Sequence, residues 1–90
     1  MLILSQMKQL YLDLINIIFS TYSLNIKELY IRESYRNYLL LTKKEKSMFN
    51  NQLFYCINQL LLDEEYEILA VLHNIGYFNE IDKQFLTYSI

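Results

Sequence analysis

Proline is absent from this 90-residue sequence, and glycine occurs only once, at Gly76. Tight turns between β-strands depend on Gly, Pro and Asn-Gly pairs, so the composition argues against sandwiches, barrels and doubly wound sheets. Hydrophobic residues make up 53% of the chain, which is too apolar for intrinsic disorder. The sequence therefore predicts one small all-α domain spanning residues 1–90.

Apolar residues recur at helical spacing in four segments of the chain. We expect helices over about residues 3–21, 25–41, 43–60 and 64–75. A tail over residues 77–90, either helical or extended, is expected to pack on them. Because the connections are only a few residues long, consecutive helices should be antiparallel neighbours. The predicted architecture is an antiparallel four-helix bundle with a short C-terminal tail.

Short polar motifs mark the expected helix ends. Ser23 and Asn25 are candidate caps for the second helix, and Thr42–Glu45 has the form of a capping box. Asp63 is expected to cap the fourth helix, with the glutamates that follow it at the positive end of the helix dipole. Gly76 stands where a left-handed C-cap is expected.

The apolar side of each helix gives the expected core. The first helix should be the most buried, because apolar residues cover more than one of its faces. The core positions are Ile3, Met7, Leu10, Leu14 and Ile17, then Leu24, Ile31, Tyr35, Tyr38 and Leu39, then Phe49, Leu53, Cys56, Ile57 and Leu60, then Ile68, Leu69, Leu72 and Ile75.

Charge is distributed unevenly along the chain. Residues 1–46 hold seven basic and four acidic residues, whereas residues 47–90 hold one basic and six acidic residues. A helix-turn-helix reading of the third and fourth helices would place the acidic run Asp63–Glu65 at the DNA phosphates, so nucleic-acid binding is not expected. The basic run at Lys43, Lys44 and Lys46 is too short to compensate.

Catalytic and metal-binding patterns are not evident in the sequence. His73 has no ligand-type residue three or four positions away, so we expect neither a metal site nor a cofactor. Cys56 lies on a predicted buried face without a nearby base to activate it. The acidic run from Asp63 to Glu67 is more simply explained by helix capping. An enzyme is not expected.

A cytoplasmic location is expected from three negative features. The single cysteine, Cys56, cannot form an internal disulfide, and the N-terminus lacks the basic region and cleavage site of a signal peptide. The most apolar stretch, Leu10–Phe19, is interrupted by Asp13 and Asn16 and is too short to span a bilayer. Peripheral association with a membrane or a membrane protein stays open.

Aromatic residues are the strongest indication of a binding surface. Tyrosine and phenylalanine together make up 16% of the chain, and several lie near its C-terminus. Two interpretations stay open: these rings cover the open edge of the bundle, or part of them is exposed for a partner. The candidate partner-binding residues are Tyr77, Phe78, Lys83, Phe85 and Tyr88.

The segment Asn51–Gly76 resembles the pediocin-like (class IIa) bacteriocin immunity proteins of the enterocin A immunity family. In that family an apolar helix and a short turn precede an acidic Glu-Glu opening, leucines and a closing Ile-Gly. The matching residues here are Leu53, Tyr55 and Ile57, then Leu62, Glu64 and Glu65, then Leu69, Leu72, Ile75 and Gly76. Upstream, Gln9–Tyr11 with Asp13 and Leu14 is similar to the first helix of the family.

The resemblance implies a cytosolic, non-enzymatic four-helix bundle that protects the producing cell from its own pore-forming peptide. Such proteins bind the complex of the bacteriocin with its receptor, the mannose phosphotransferase permease, at the inner membrane face and block the open pore. The C-terminal half sets their specificity, so the late aromatic residues would form the recognition element. This chain departs from the family in its many tyrosines and in having Lys83 as its only basic residue after Lys46.

Other readings of the same apolar surface stay open. The chain could be a small phage or mobile-element adaptor that binds and regulates a host protein. Either function is compatible with a monomer or with a homodimer that pairs the apolar first helices.

Overall fold

The computed structural model describes the backbone of residues 2–81 and the side chains of residues 6–81. It contains α1 (Leu2–Ile18), α2 (Leu24–Tyr38), α3 (Lys43–Leu62) and α4 (Tyr66–Ile75). A fifth helical segment, α5, covers residues 77–81 directly after Gly76. Helices but no strands occur in this part of the chain, which confirms the all-α class. The expected tail is helical where it begins, and its remainder, residues 82–90, lies outside the described residues.

Three of the expected helix ends are formed as the local motifs predict. The Ser23 hydroxyl accepts a hydrogen bond from the backbone N–H of Ile26 at the start of α2 (3.4 Å). Thr42 and Glu45 form the reciprocal bonds of a capping box at the start of α3, at 3.2 and 2.7 Å. Gly76 ends α4 with a φ of +126°, in the range that favours glycine. Asn25 lies inside α2 and does not cap it.

The expected cap of the fourth helix is wrong. α3 continues to Leu62, and Asp63 follows it as the C-cap, where its carboxylate accepts hydrogen bonds from the Gln59 amide. Glu64 then takes a positive φ of 59°, and α4 begins only at Tyr66. Asp63 therefore ends one helix and does not start the next.

The helices pack in an order that differs from simple succession. α1 packs against α2 and α3, and α4 packs against the same two helices. We expected α2 and α3 to be neighbours because they are consecutive. Their backbones are not in close contact, so this expectation is wrong for this pair. The rings of Tyr38 on α2 and Phe49 on α3 lie between them with centroids 5.1 Å apart. These two side chains fill part of the interior between α2 and α3.

An aromatic cluster forms the centre of the core. Tyr38, Phe49 and Tyr77 are fully buried, and their ring centroids lie 5.1 to 6.1 Å apart. The Tyr38 hydroxyl donates a hydrogen bond to Asn50 Oδ1 (2.8 Å). Among the described side chains, no buried nitrogen or oxygen lacks a hydrogen-bond partner. The tyrosines therefore supply apolar area to the core without leaving an unpaired hydroxyl.

The expected core positions with described side chains are buried or partly buried, except for Leu39. All five core positions predicted for α3 are buried. Leu39 is 45% exposed, however, because α2 ends at the residue before it. The expectation that the first helix is the most buried is not met among the described side chains, which leave out residues 2–5 of α1, Ile3 among them. Among the described side chains α1 buries Met7, Leu14 and Ile18, whereas α3 buries seven residues.

Candidate functional site: an apolar groove between α3 and α4

An open groove of about 320 Å³ runs between α3, α4 and the start of α5. We call it the α3–α4 groove. It is lined by Ile57, Leu61, Tyr66, Leu69, Ala70, His73 and Phe78. Leu61 and Tyr66 are exposed, whereas Ile57 and Leu69 form the buried floor. Concave apolar surface with a few polar groups is the usual character of a binding site.

The groove results from helical spacing on two elements. Ile57 and Leu61 are four residues apart on α3, and Tyr66, Leu69 and His73 follow the same rule on α4, so each set lies on one face of its helix. The second apolar side of α4 therefore faces outward next to the side that packs in the core. Phe78 closes one end of the groove, where its ring meets the His73 ring edge-on at 5.6 Å.

An acidic turn connects the two helices that form the groove. The turn that joins Leu61 to Tyr66 contains Asp63, Glu64 and Glu65, and all three are exposed. No lysine or arginine occurs from residue 47 to residue 82. The groove is therefore electrostatically suited to a partner segment that combines apolar side chains with basic ones.

The predicted partner-binding residues separate into three groups. Phe78 is half-buried and lines the α3–α4 groove. Tyr77, by contrast, is fully buried in the core, and its hydroxyl lies 2.9 Å from the Ser34 hydroxyl. The prediction that Tyr77 offers its ring to a partner is thus corrected, and Tyr77 covers the interior instead. Lys83, Phe85 and Tyr88 lie outside the described residues.

Sequence reasoning missed the groove residues Leu61, Tyr66 and Ala70. The predicted end of the third helix at residue 60 puts Leu61 in a turn, whereas α3 continues to Leu62. The signal that could have found them is the uninterrupted run Leu60–Leu62, which supplies more apolar residues than one core-facing side of a helix needs. Such a run predicts an exposed apolar strip beside the core.

Reactive chemistry is not favoured at this site. Burial raises the pKa of the Cys56 thiol to about 11, so it stays protonated and unreactive at neutral pH. His73 is exposed, with Nδ1 lying 3.5 Å from the Asn74 side-chain oxygen. In the described part of the chain, no group of three or more His, Cys, Asp and Glu residues could hold a metal ion. The arrangement suits binding of an apolar segment.

A second open groove, of about 560 Å³, lies between α1 and the connection from α2 to α3. Its lining is more polar and includes Gln9, Asp13 and Glu45. The Glu45 carboxylate is already used by the capping box, and the Gln9 amide donates a hydrogen bond to Asp13 (2.8 Å). These polar side chains are thus occupied within the chain, and the α3–α4 groove is the better candidate.

Within residues 2–81, no helix combines the length and the hydrophobicity needed to cross a bilayer. No protein-family model matches the sequence, and neither a curated protein nor a solved structure matches it.

Proposed function

We propose that the chain is a non-enzymatic, cytoplasmic immunity protein that protects its producer cell from a pediocin-like pore-forming peptide. It would bind the complex of the bacteriocin with a mannose phosphotransferase permease at the inner membrane face. The α3–α4 groove carries this proposal. Six of its seven lining residues belong to the segment Asn51–Gly76, whose sequence resembles the immunity family, and the seventh, Phe78, lies two residues beyond it.

The helix arrangement supports the proposal at the level of the fold. α1 and α4 each pack on both α2 and α3, so the four helices form a closed ring. We propose that this ring is the antiparallel four-helix bundle of the immunity family, with the connection from α2 to α3 crossing its diagonal.

Charge and hydrophobicity support a recognition role for the groove. An apolar floor next to an acidic turn favours a partner helix that presents apolar side chains between basic ones. In the proposed complex, Leu61 and Tyr66 contact the apolar side chains of the partner helix, because both are exposed in the groove. They lie next to the acidic turn, where the basic side chains of the partner would be placed. The glutamates contribute mainly to orientation and association rate.

The test is protection of a sensitive Gram-positive strain that expresses the chain. Cells are challenged with a panel of pediocin-like bacteriocins, and survival is compared with that of cells carrying an empty vector. Protection against one or two members is expected. Absence of protection across a broad panel, with the protein abundant in the cells, would contradict the proposal and favour the host-protein adaptor.

Groove variants locate the activity on the molecule. Leu61→Ala combined with Tyr66→Ala should abolish protection, because it removes the exposed apolar side chains of the proposed contact. Since both side chains are exposed, their loss should leave the core intact. The matched control is Leu29→Ala combined with Tyr30→Ala on α2, which removes the same two types of exposed side chain outside the groove. Protection lost in the control, or kept in the groove variant, would assign recognition to another surface. Circular dichroism checks that the helices remain.

A further inference from the structure

A second surface combines exposed leucines with basic residues. It lies at the N-terminal end of α3, whereas the acidic turn follows the C-terminal end of the same helix. We call it the α2–α3 corner and define it as Arg36, Leu39, Leu40, Lys43 and Lys44. Leu40 is 84% exposed, more than any other large hydrophobic residue in the described part of the chain. Arg36, Lys43 and Lys44 lie within four positions of it, and all three are exposed.

The net charge of this corner is positive, although Asp13 on α1 lines the same groove as Leu40. Residues 33–46 contain four basic residues and two acidic ones. In the described part of the chain, neither Lys43 nor Lys44 forms a salt bridge, and Arg36 pairs with Glu33 at an exposed site, where ion pairs contribute little. The fourth basic residue, Lys46, is half-buried with its ammonium 5.7 Å from the centre of the Tyr38 ring, so it is not part of the surface.

The backbone N–H groups of residues 39–42, which connect α2 to α3, are all hydrogen-bonded within the chain. The N–H groups of Leu39, Leu40 and Leu41 donate to the carbonyls of Tyr35, Asn37 and Tyr38 at 3.0 to 3.1 Å. The N–H of Thr42 donates to the Glu45 carboxylate in the capping box. The connection can therefore enter an environment poor in water without leaving an amide donor unpaired, which is the main cost of placing irregular backbone there.

We propose that the α2–α3 corner docks on the surface of an anionic lipid bilayer. Leu39 and Leu40 enter the boundary between headgroups and acyl chains, and Lys43, Lys44 and Arg36 contact the lipid phosphates. A negatively charged headgroup layer over an apolar interior matches both properties of the corner, whereas an acidic protein surface without an apolar groove matches only the charge. The docking goes beyond the proposed immunity function and does not depend on it, because it needs neither bacteriocin nor permease.

Vesicle co-sedimentation of the full chain tests the charge requirement. Binding to mixed phosphatidylcholine–phosphatidylglycerol vesicles at low ionic strength is expected, with little binding to pure phosphatidylcholine and loss of binding at high salt. Lys43→Gln and Lys44→Gln should each weaken binding about fivefold. The control Lys8→Gln, an exposed lysine outside the corner, should have a smaller effect. Equal binding to both lipid compositions would overturn the proposal.

A tryptophan substitution tests insertion of the leucines directly. The natural chain contains no tryptophan, so a single introduced one is the only source of indole emission. Leu40→Trp should shift its emission to shorter wavelength when anionic vesicles are added. Leu62→Trp is the matched control, because Leu62 is 79% exposed but precedes the acidic turn, and its emission should stay unchanged.

Two results would overturn the lipid assignment. The first is that the emission of Leu40→Trp does not shift, or that the emission of Leu62→Trp shifts equally, when circular dichroism shows that both variants are folded. The other is retention of the chain by an acidic polypeptide, blocked by the lysine substitutions, without any binding to vesicles. That result would assign the corner to an acidic protein. Neither measurement involves bacteriocin, so failure of the docking and failure of the immunity function are distinguishable.

Discussion

The hydroxyl group of Tyr77 lies 2.9 Å from that of Ser34, although the two residues are 43 positions apart in the sequence. Both side chains are buried, and Tyr77 has no exposed surface. The bond joins the start of α5 to the middle of α2. It therefore ties the C-terminal part of the described chain to the core.

Tyr77→Phe should lower the free energy of unfolding by about 1–2 kcal/mol, because it leaves the buried Ser34 hydroxyl without its partner. Ser34→Ala should have a similar effect. The double variant should be more stable than the sum of the two losses predicts, since it removes both polar groups together. Urea denaturation of the four proteins measures this coupling. Strict additivity would show that the hydroxyls do not interact.

Gly76→Ala should destabilise the protein by roughly 2 kcal/mol or more, for two reasons. A side chain at a φ of +126° is strained, and a Cβ atom would lie 2.8 Å from the Tyr35 hydroxyl oxygen. Adding Tyr35→Phe should restore part of the loss by removing that oxygen, whereas the backbone strain persists. Asn79→Ala, at an exposed position nearby, is the control with little expected effect. Thermal denaturation should rank Gly76→Ala as the least stable, the double variant with Tyr35→Phe as intermediate and Asn79→Ala as close to the parent. Another order would contradict this explanation of why residue 76 is glycine.

Thr42→Ala should cost about 1 kcal/mol of stability, because it removes the side-chain acceptor of the capping box at the start of α3. Thr21→Ala is the matched control, since Thr21 is exposed in the connection between α1 and α2. The denaturation midpoint of the control should stay within error of the parent. An unchanged midpoint for Thr42→Ala would mean that water replaces the cap at no cost.

Alkaline pH should destabilise the fold. Burial raises the pKa of Cys56 from 9.0 to about 11 and that of Tyr38 from 10.0 to about 12, and it raises the pKa of Tyr77 as well. The unfolded chain therefore loses these protons at lower pH than the folded chain. Stability is fully present below about pH 9 and falls as the pH rises further. Urea midpoints measured from neutral to alkaline pH check the direction, and Cys56→Ala should make the first part of the decline shallower.

The elements that sequence reasoning predicted well are those encoded by adjacent residues. The cap at Ser23, the capping box at Thr42 and the turn at Gly76 each depend on hydrogen bonds or backbone angles within a few positions. The prediction for Asp63 was wrong because α3 continues to Leu62, so that Asp63 lies at its C-terminal end. How far a helix continues depends on packing as well as on the local sequence.

The candidate site was predictable only in part, because side-chain direction after a turn depends on tertiary structure. Tyr77 and Phe78 are adjacent aromatics with the same apparent role in the sequence. The conformation of Gly76 directs the first into the core and leaves the second beside the groove. Which helices are neighbours could not be predicted from the sequence either. The rings of Tyr38 on α2 and Phe49 on α3 meet in the interior, and such a contact between distant side chains is a property of the folded chain.

The α3–α4 groove and the aromatic core overlap only through the groove floor. Leu61, Tyr66, Ala70 and His73 line the groove but lie outside the buried core cluster. Mutations at these four positions change the shape and chemistry of the outer surface while the interior packing is preserved. If the groove has the proposed binding role, single substitutions there would change its specificity while the protein stays folded.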